Sequence, residues 1–270
     1  MTIFDFHTHA FVDSLASRAL SGLEQTSGIA PSTDGTVAGL RDMMCRHSIS
    51  CAMLLPVATK PSQQTTINNW AASIMGDGLY ACGSVHPDAD DAVEEVERIA
   101  QLGLYGVKFH SEYQHFRPNE ERMMPVYRKA RELGLFVVFH GGWDPFGGDE
   151  ILATPRSFAD LAEKMPGLTI IAAHMGGIRL YDQVEDCLAG RFPHLYMDTG
   201  VVADYISDEQ LLRIIEKQGA DKVLFGSDTP WDHPEKEIAM IDRLPLSDQD
   251  KELIFHVNAE KLVEKRDNTK

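Results

Sequence analysis

Short apolar segments alternate with amphipathic segments along the whole chain. Eight segments are almost continuously apolar, which is typical of parallel β-strands covered on both faces. The predicted strands span residues 3–7, 51–57, 80–86, 105–110, 135–140, 168–174, 195–200 and 222–228. The segments between them place apolar residues at helical spacing; the segment 88–103, for example, opens with acidic residues and ends at a glycine. The other predicted helices are 36–48, 62–75, 119–133, 156–165, 179–189, 207–218 and 234–243, with one or two more in 248–264.

This alternation predicts an α/β protein, a single (β/α)8 TIM barrel with extra C-terminal helices that occupies residues 1–270 as one domain. A doubly wound open sheet is the alternative. The barrel is favoured because polar residues that can carry chemistry end most of the apolar segments, and only a barrel brings all the strand ends to one mouth. Residues 10–35, rich in Ser, Gly and Thr, are expected to form a long loop at that mouth.

Polar side chains close at least seven of the eight predicted strands. They are His7, His9, His86, Lys108, His110, His140, His174, Asp198 and Asp228. Any one of these could be a core residue satisfied by hydrogen bonds. Packing gives no reason, however, for most strands to end in this way, and the C-terminal strand ends of a barrel carry its active site.

Four of these residues form a candidate metal site. His7 and His9 lie two residues apart on a predicted strand, so both imidazoles face the same side. Together with His140 and Asp228 they offer three nitrogens and one carboxylate, which suit zinc, manganese, iron or cobalt better than calcium or magnesium. Asp228 is a candidate catalytic base, and His174 would either ligate a second metal or donate a hydrogen bond to a developing oxyanion.

Composition narrows the possible partners. The formal net charge of −16 argues against nucleic acid or an anionic membrane surface as the main partner. No apolar segment approaches the ~20 residues of a membrane span, and we expect no signal peptide. Cys45, Cys51, Cys82 and Cys187 form no C-x-x-C pair, so we expect buried free thiols and a cytoplasmic protein. A small-molecule substrate fits this picture, and a homodimer is compatible with it.

Four motifs in a fixed order carry a family resemblance. FHTHAF, VFHGG, AAHMGG and FGSDTPW resemble the amidohydrolase superfamily, and most closely the amidohydrolase-2 branch, which includes decarboxylases of the aminocarboxymuconate-semialdehyde type. The resemblance spans roughly residues 3 to 264 and includes the closing VNAEKLV. It implies a TIM barrel and a metal bound by His7, His9, His140 and Asp228, with His174 beside it. The branch contains both hydrolases and decarboxylases, so the resemblance leaves the reaction open.

Lys108 departs from the best-known decarboxylases of that branch. Its position is similar to that of the strand-four lysine of dihydroorotase-like members, where the lysine is carboxylated and bridges two metals. The resemblance therefore allows Lys108 as a metal ligand and one or two ions per chain, with zinc the first expectation and manganese the second. An unmodified Lys108 that binds a substrate carboxylate is the alternative.

Loops at the mouth are expected to select the substrate. His110, Trp143 and Arg117 are the candidate substrate-binding residues, and Arg179 is a second candidate anion clamp. The loop GGWDPFGGDE, with glycines around Trp143 and Phe146, could act as a lid or be an ordinary surface loop.

These observations predict an enzyme. Our first hypothesis is a metal-dependent hydrolase that cleaves a C–N or C–O bond of a small molecule, with Asp228 as general base for metal-activated water. The alternative is a metal-dependent, non-oxidative decarboxylase of a small carboxylic acid. A third hypothesis is a metal-binding barrel without catalysis, against which the intact Asp228 argues. The chain has no G-x-S-x-G, phosphate-loop or dinucleotide motif to support other enzyme classes.

Overall fold

The strands follow one another around a barrel. The computed structural model of the protein describes residues 2–145, 147–148 and 150–268. Within these ranges the strands, all paired in parallel, are β1 (Phe4–Thr8), β2 (Cys51–Leu54), β3 (Leu79–Ala81), β4 (Gly83–Ser84), β5 (Gly106–Phe109), β6 (Phe136–Phe139), β7 (Ile170–Ala172), β8 (Leu195–Asp198) and β9 (Val223–Leu224). Each predicted strand is present, and the third is divided into β3 and β4 at Cys82.

Hydrogen bonds complete the ring of strands. Regular pairing joins the strands from β1 through β3 into one sheet and the strands from β4 through β9 into another. At the first gap, Cys82 N donates to Leu54 O at 2.9 Å. At the second gap, Phe6 N donates to Phe225 O at 2.8 Å, and Thr8 forms a parallel bridge with Thr229. The strand order never reverses, whereas a doubly wound sheet reverses at its switch point. The predicted TIM barrel is therefore the fold, and the open-sheet alternative is not.

Helices follow the strands and cover the outside of the barrel. They are α1 (Asp13–Ser27), α2 (Val37–Arg46), α3 (Gln64–Ser73), α4 (Ala92–Gln101), α5 (Ser111–Gln114), α6 (Met124–Glu132), α7 (Pro155–Lys164), α8 (Tyr181–Cys187), α9 (Asp208–Gln218), α10 (Pro234–Arg243), α11 (Asp248–Glu252) and α12 (Asn258–Asp267). The eight predicted helices correspond to α2–α4 and α6–α10. Their ends carry the expected signals, such as Thr36, whose side chain accepts a hydrogen bond from Gly39 N.

The prediction of a long loop over residues 10–35 was wrong in part, because helix α1 occupies more than half of this segment. The serines and glycines of this segment suggested a loop. Ala16 and Leu20, however, stand one turn apart and are both buried, so the helix is held by its contact with the protein. It ends at Gly28, which has a φ of 72° and whose N–H donates to Glu24 O.

Helix α12 packs against the end of the barrel where the strands begin. Ala259, Leu262 and Val263 join a buried cluster that contains Phe4 and Phe136 from the first positions of β1 and β6. This closes one end of the barrel with apolar side chains. The other end, where the strands finish, is left for polar residues.

The cysteines match the prediction only in part. All four are free, but Cys82 alone is buried, Cys51 and Cys187 are half-buried, and Cys45 on α2 is exposed. Cys45 is exposed because the buried face of α2 is formed by Leu40, Met43 and Met44. No helix in the described ranges has the length and hydropathy to cross a membrane.

Asn258, in the VNAEKLV motif, ties α12 to the barrel. Its amide nitrogen donates to Ala220 O at 2.7 Å and to Val223 O at 2.8 Å. Asn258→Ala removes both of these hydrogen bonds, so we expect the free energy of unfolding to fall by roughly 1–3 kcal/mol. Urea unfolding of this variant beside Lys261→Ala, an exposed site on the same helix, checks the prediction; equal stability of the two variants would contradict it.

Candidate metal centre and substrate cavity

The ends of the first and last strands bring three predicted ligands together. His9 Nε2 lies 3.0 Å from Asp228 Oδ1, and His7 Nε2 lies 3.3 Å from the same oxygen. The potential ligand atoms of these three residues all lie within 4.8 Å of one another. The sequence prediction that His7 and His9 face one space is therefore confirmed.

Asp198, at the end of β8, holds this arrangement from behind. Its Oδ2 accepts a hydrogen bond from His7 Nδ1 at 2.9 Å. Its Oδ1 accepts from the backbone N–H groups of His174 and Gly200, each at 3.1 Å. The carboxylate therefore fixes the ring of His7 so that Nε2 points toward the cavity, as the partner of a metal-binding histidine does.

His140 and His174 lie next to the first three ligands. His174 Nε2 is 3.0 Å from His140 Nδ1, and the ring of His174 stacks on that of His7 with centroids 4.9 Å apart. His140 groups more closely with His110 and Asp144 than with His7, His9 and Asp228. All of the predicted ligands thus line one cavity. His140, however, lies beside His110 and Asp144 and outside the cluster of the other three ligands.

The backbone of Asp228 is held in an uncommon conformation. Its φ is 64°, a left-handed value that disfavours residues other than glycine by roughly 1–2 kcal/mol. Two hydrogen bonds of 2.8 Å keep it there, from Asp228 N to His7 O and from Trp231 N to Asp228 O. His174 also has a left-handed φ, of 59°. Such conformations concentrate at functional sites, where they aim a side chain.

Burial and charge set the protonation of the site. Burial, aided by the positive charge of Lys108, lowers the pKa of His7 to about 4. Burial also holds the pKa of His110 and of His140 well below the usual value. Burial alone would raise the pKa of Asp228, but His7 and His9 outweigh it and lower that pKa. At neutral pH His7 and His140 are therefore neutral imidazoles and Asp228 is an ionised carboxylate, the forms that bind metals.

The residues present fit a divalent transition metal. Three ligand atoms converge from His7, His9 and Asp228, and His140 Nε2 is buried with no hydrogen-bond partner among the described residues. A buried imidazole nitrogen without a partner is costly unless something else binds it. Because the donors are mostly nitrogens, zinc, manganese, iron or cobalt suits them better than calcium.

Lys108 is buried in the same place. It is 1% exposed, its Nζ lies 3.3 Å from His7 Nε2, and burial lowers its pKa. The sequence expectation that Lys108 and His110 both face the cavity is met, since both line it. This places an amine among the candidate ligands, where it is able to contact a metal or a substrate anion.

His110 lies between aromatic and acidic groups. Its ring stacks on Tyr113 with centroids 3.6 Å apart and on His140 at 4.3 Å. Its Nε2 lies 3.5 Å from Asp144 Oδ2, and its Nδ1 lies 3.7 Å from Glu112 Oε2. Glu112 is itself fixed, because its Oε1 accepts from Leu152 N at 3.1 Å. His110 is therefore packed between these groups at the edge of the candidate metal ligands.

The candidate ligands open into one cavity of about 420 Å³. This is within the range of ~300–1,000 Å³ that encloses small-molecule ligands. Its walls are mainly apolar and aromatic, including Phe11, Ile67, Trp70, Trp143, Tyr205 and Trp231. The candidate site thus combines a polar floor, formed by the candidate ligands and Lys108, with an aromatic enclosure.

The structure places the other predicted residues at different distances from this cavity. Trp143 lines it, and the guanidinium of Arg179 lies over the Trp143 ring at 3.5 Å. Arg117 does not line it; its guanidinium donates to the exposed Glu150 instead. His86 is buried outside it, where its Nδ1 accepts from Asp88 N at 3.2 Å. Phe146 and Asp149 of the candidate lid lie outside the described residues.

Sequence reasoning missed several residues of the cavity. Asp144 stands in the GGWDP segment and Trp231 in FGSDTPW, so both were visible inside quoted motifs. Trp70 and Tyr205 lie on helix and loop segments with no motif, and nothing in the sequence marks them. Asp198 was noted as a strand end, but its contact with His7 could be seen only in the fold.

The role of Asp198 gives a test of the site. Asp198→Asn removes the negative charge that orients His7, and we expect zinc to bind roughly 10–100-fold more weakly. Competition with a fluorescent chelator measures the affinity, and the melting temperature shows whether the variant folds. Asp186→Asn, at an exposed position, is the control; unchanged affinity in Asp198→Asn would contradict the assignment.

Comparison with known structures identifies the same fold in several proteins. An uncharacterised TIM-barrel protein, Bb4693 from Bordetella bronchiseptica, is similar with a TM-score of 0.83 and 18% identity, over 99% of this chain and 100% of that one. The 5-carboxyvanillate decarboxylase LigW from Sphingomonas paucimobilis is similar with a TM-score of 0.71 and 15% identity, over 97% and 99%. At these identities the likeness establishes the fold.

A third structure was solved with ligands. The dihydroxybenzoic acid decarboxylase from Polaromonas sp. JS666, with bound manganese and the inhibitor 2-nitroresorcinol, has a TM-score of 0.73 and 16% identity, over 97% of each chain.

Among curated proteins, no sequence matches this chain. The sequence profile Amidohydro_2, described as amidohydrolase, matches residues 51–265, which is most of the chain. Three of the four motifs lie in the matched range, the family resemblance is thereby confirmed, and the protein belongs to the amidohydrolase-2 family.

Proposed function

We propose that the protein is a metal-dependent, non-oxidative decarboxylase of a small aromatic carboxylic acid. The observation that carries the proposal is the junction of a polar floor of candidate metal ligands with an aromatic cavity. Two of the similar barrels, which align over 97% of this chain, are decarboxylases of aromatic acids. This reverses the order of our two hypotheses from the sequence, where the hydrolase came first.

The cavity suits a planar, largely apolar substrate. Trp143 and Tyr205 stand near each other on one side, with ring centroids 6.3 Å apart. Phe11 and Trp231 form a second aromatic pair with centroids 6.5 Å apart. Aromatic rings pack favourably against such walls, while the carboxylate of the substrate would face Lys108 and the metal ligands at the floor.

The residues would hold the metal and move one proton. His7, His9, His140 and Asp228 would bind the ion, with His174 beside them. When bound, the ion would supply positive charge that binds and polarises oxygen atoms of the substrate. The bond between the ring carbon and the carboxylate breaks, its electron pair stays on the ring carbon, a proton is added there, and CO2 leaves. That proton comes from solvent. Asp228, which is ionised at rest, would take it up and pass it to the ring carbon, with His174 beside it in the cavity.

The hydrolase is the second candidate, and Lys108 is the observation that favours it. A buried lysine amine stands 3.3 Å from a candidate metal ligand, in the position that resembles the bridging lysine of dihydroorotase-like members. In this case Asp228 would take a proton from water, and the oxygen of that water would enter the product.

Isotope labelling separates the two reactions. Hydroxybenzoates, lactones and amides are incubated with protein supplied with manganese or zinc, and again after removal of metal by a chelator. We expect CO2 from a hydroxybenzoate only when metal is present. In heavy water, one deuterium should appear on the ring carbon that lost the carboxylate. Oxygen from labelled water in the organic product, without CO2, would instead establish the hydrolase.

Asp228→Asn tests the proposed proton transfer. An amide does not exchange a proton as a carboxylate does, so we expect turnover to fall by about 100-fold or more. Elemental analysis of the same sample shows whether the metal is retained, which separates proton transfer from metal binding. The control is Asp221→Asn, which makes the same substitution at an exposed aspartate. It should keep full turnover. Normal turnover in Asp228→Asn would remove Asp228 from the mechanism.

A further inference from the structure

One wall of the cavity carries no ionisable side chain. It comes from the segments that follow the neighbouring strands β1 and β2, and we call it the apolar wall. Its members are Ala10, Phe11, Val12, Leu15, Ala19, Ile29, Pro56, Val57, Thr59, Gln63, Ile67 and Trp70. The two polar members are bonded to each other, since Gln63 Oε1 accepts from Thr59 N at 2.9 Å and from Thr59 Oγ1 at 3.0 Å. The apolar wall therefore presents mainly hydrocarbon to whatever enters the cavity.

This wall also contains apolar side chains that are left in contact with water. Val12 is 37% exposed and Leu15 is 44% exposed, and among the side chains that the structure describes these are the exposed large apolar ones. Both line the cavity. Apolar surface that lines a cavity is stabilised when a ligand removes it from water. Their position at the start of α1 indicates that a ligand extends from the polar floor toward this helix.

The size of the cavity supports the same conclusion. A volume of about 420 Å³ is suited to ligands larger than a single-ring acid. With its carboxylate among Lys108 and the candidate metal ligands, a single ring would fill only part of this volume, which Leu15 and Ile67 also line. A longer substrate would cover them.

We propose that the natural substrate is an aromatic carboxylic acid with an apolar substituent, an alkyl chain of several carbons, which lies against the apolar wall. The inference rests on the proposed function for the position of the carboxylate. The apolar wall then selects long substrates over short ones, because each methylene group that it covers is removed from water.

Binding of a graded series of acids tests this directly. The probes are benzoate and its 4-ethyl, 4-butyl and 4-hexyl derivatives, added to the purified metal-containing protein. All three tryptophans of the chain, Trp70, Trp143 and Trp231, line the cavity, so tryptophan fluorescence reports binding. We expect the dissociation constant to fall by about threefold for each added methylene. A dissociation constant that does not change with chain length would overturn the proposal.

A matched pair of variants on α1 locates the effect. Leu15→Asp places a charge in the apolar wall, whereas Ser17→Asp places one on the same helix outside the cavity. We expect Leu15→Asp to weaken binding of 4-hexylbenzoate by at least about tenfold and to leave benzoate within about twofold. Ser17→Asp should behave as the unaltered protein. An equal loss for both probes in Leu15→Asp, or the same loss in Ser17→Asp, would contradict the assignment. If Leu15→Asp does not fold, Ile67→Gln on α3 makes the same test.

Failure of this inference and failure of the proposed function give different results. A preference for long chains without any CO2 release would refute the proposed function and keep the apolar substituent. Decarboxylation of unsubstituted acids, with no preference for longer chains, would refute the inference of an alkyl substituent and leave the proposed function intact.

Discussion

The site depends on the two oxygens of Asp198. One oxygen fixes the imidazole of His7, and the other accepts from the backbone of His174 and Gly200. The carboxylate thereby links the ends of the successive strands β7 and β8 to the end of β1, where His7 lies 191 positions before Asp198. Burial alone would raise the pKa of Asp198, but the charge and hydrogen bond of His7 outweigh it and lower that pKa. A buried, ionised carboxylate of this kind is stable only when its partners are in place, so the positions of the ligands and of the strand ends support each other.

Most of the fold followed from the sequence because its signals are local. Each strand is a short apolar segment and each outer helix shows its own periodicity, so the barrel could be predicted before any contact was known. The exception was α1, whose serines and glycines hide a helix held by Ala16 and Leu20. Its stability comes from burial against the protein, and the composition of the segment does not record that contact. The single domain, the cytoplasmic location and the homodimer stay predictions.

The candidate site was predictable only where side-chain type and strand position coincide. His7, His9, Lys108, His140, His174 and Asp228 follow apolar strands, and the fold brings them to one cavity. Arg117 is different because it lies on a loop, where sequence position does not determine direction; it turns outward to Glu150. The aromatic enclosure was missed for the opposite reason. Trp70 and Tyr205 look like ordinary helix and loop residues until the barrel places them over the floor.

The contact between His9 and Asp228 joins residues that are 219 positions apart. During synthesis, His7 and His9 leave the ribosome before Asp228, whose carboxylate meets them in the folded chain. Until then the two histidines are only two of the three donors in the candidate cluster, and they would bind an ion weakly. The complete set of donors exists only after the last strand has docked against the first. A nascent chain therefore offers a metal only part of the candidate site until the barrel that forms it is closed.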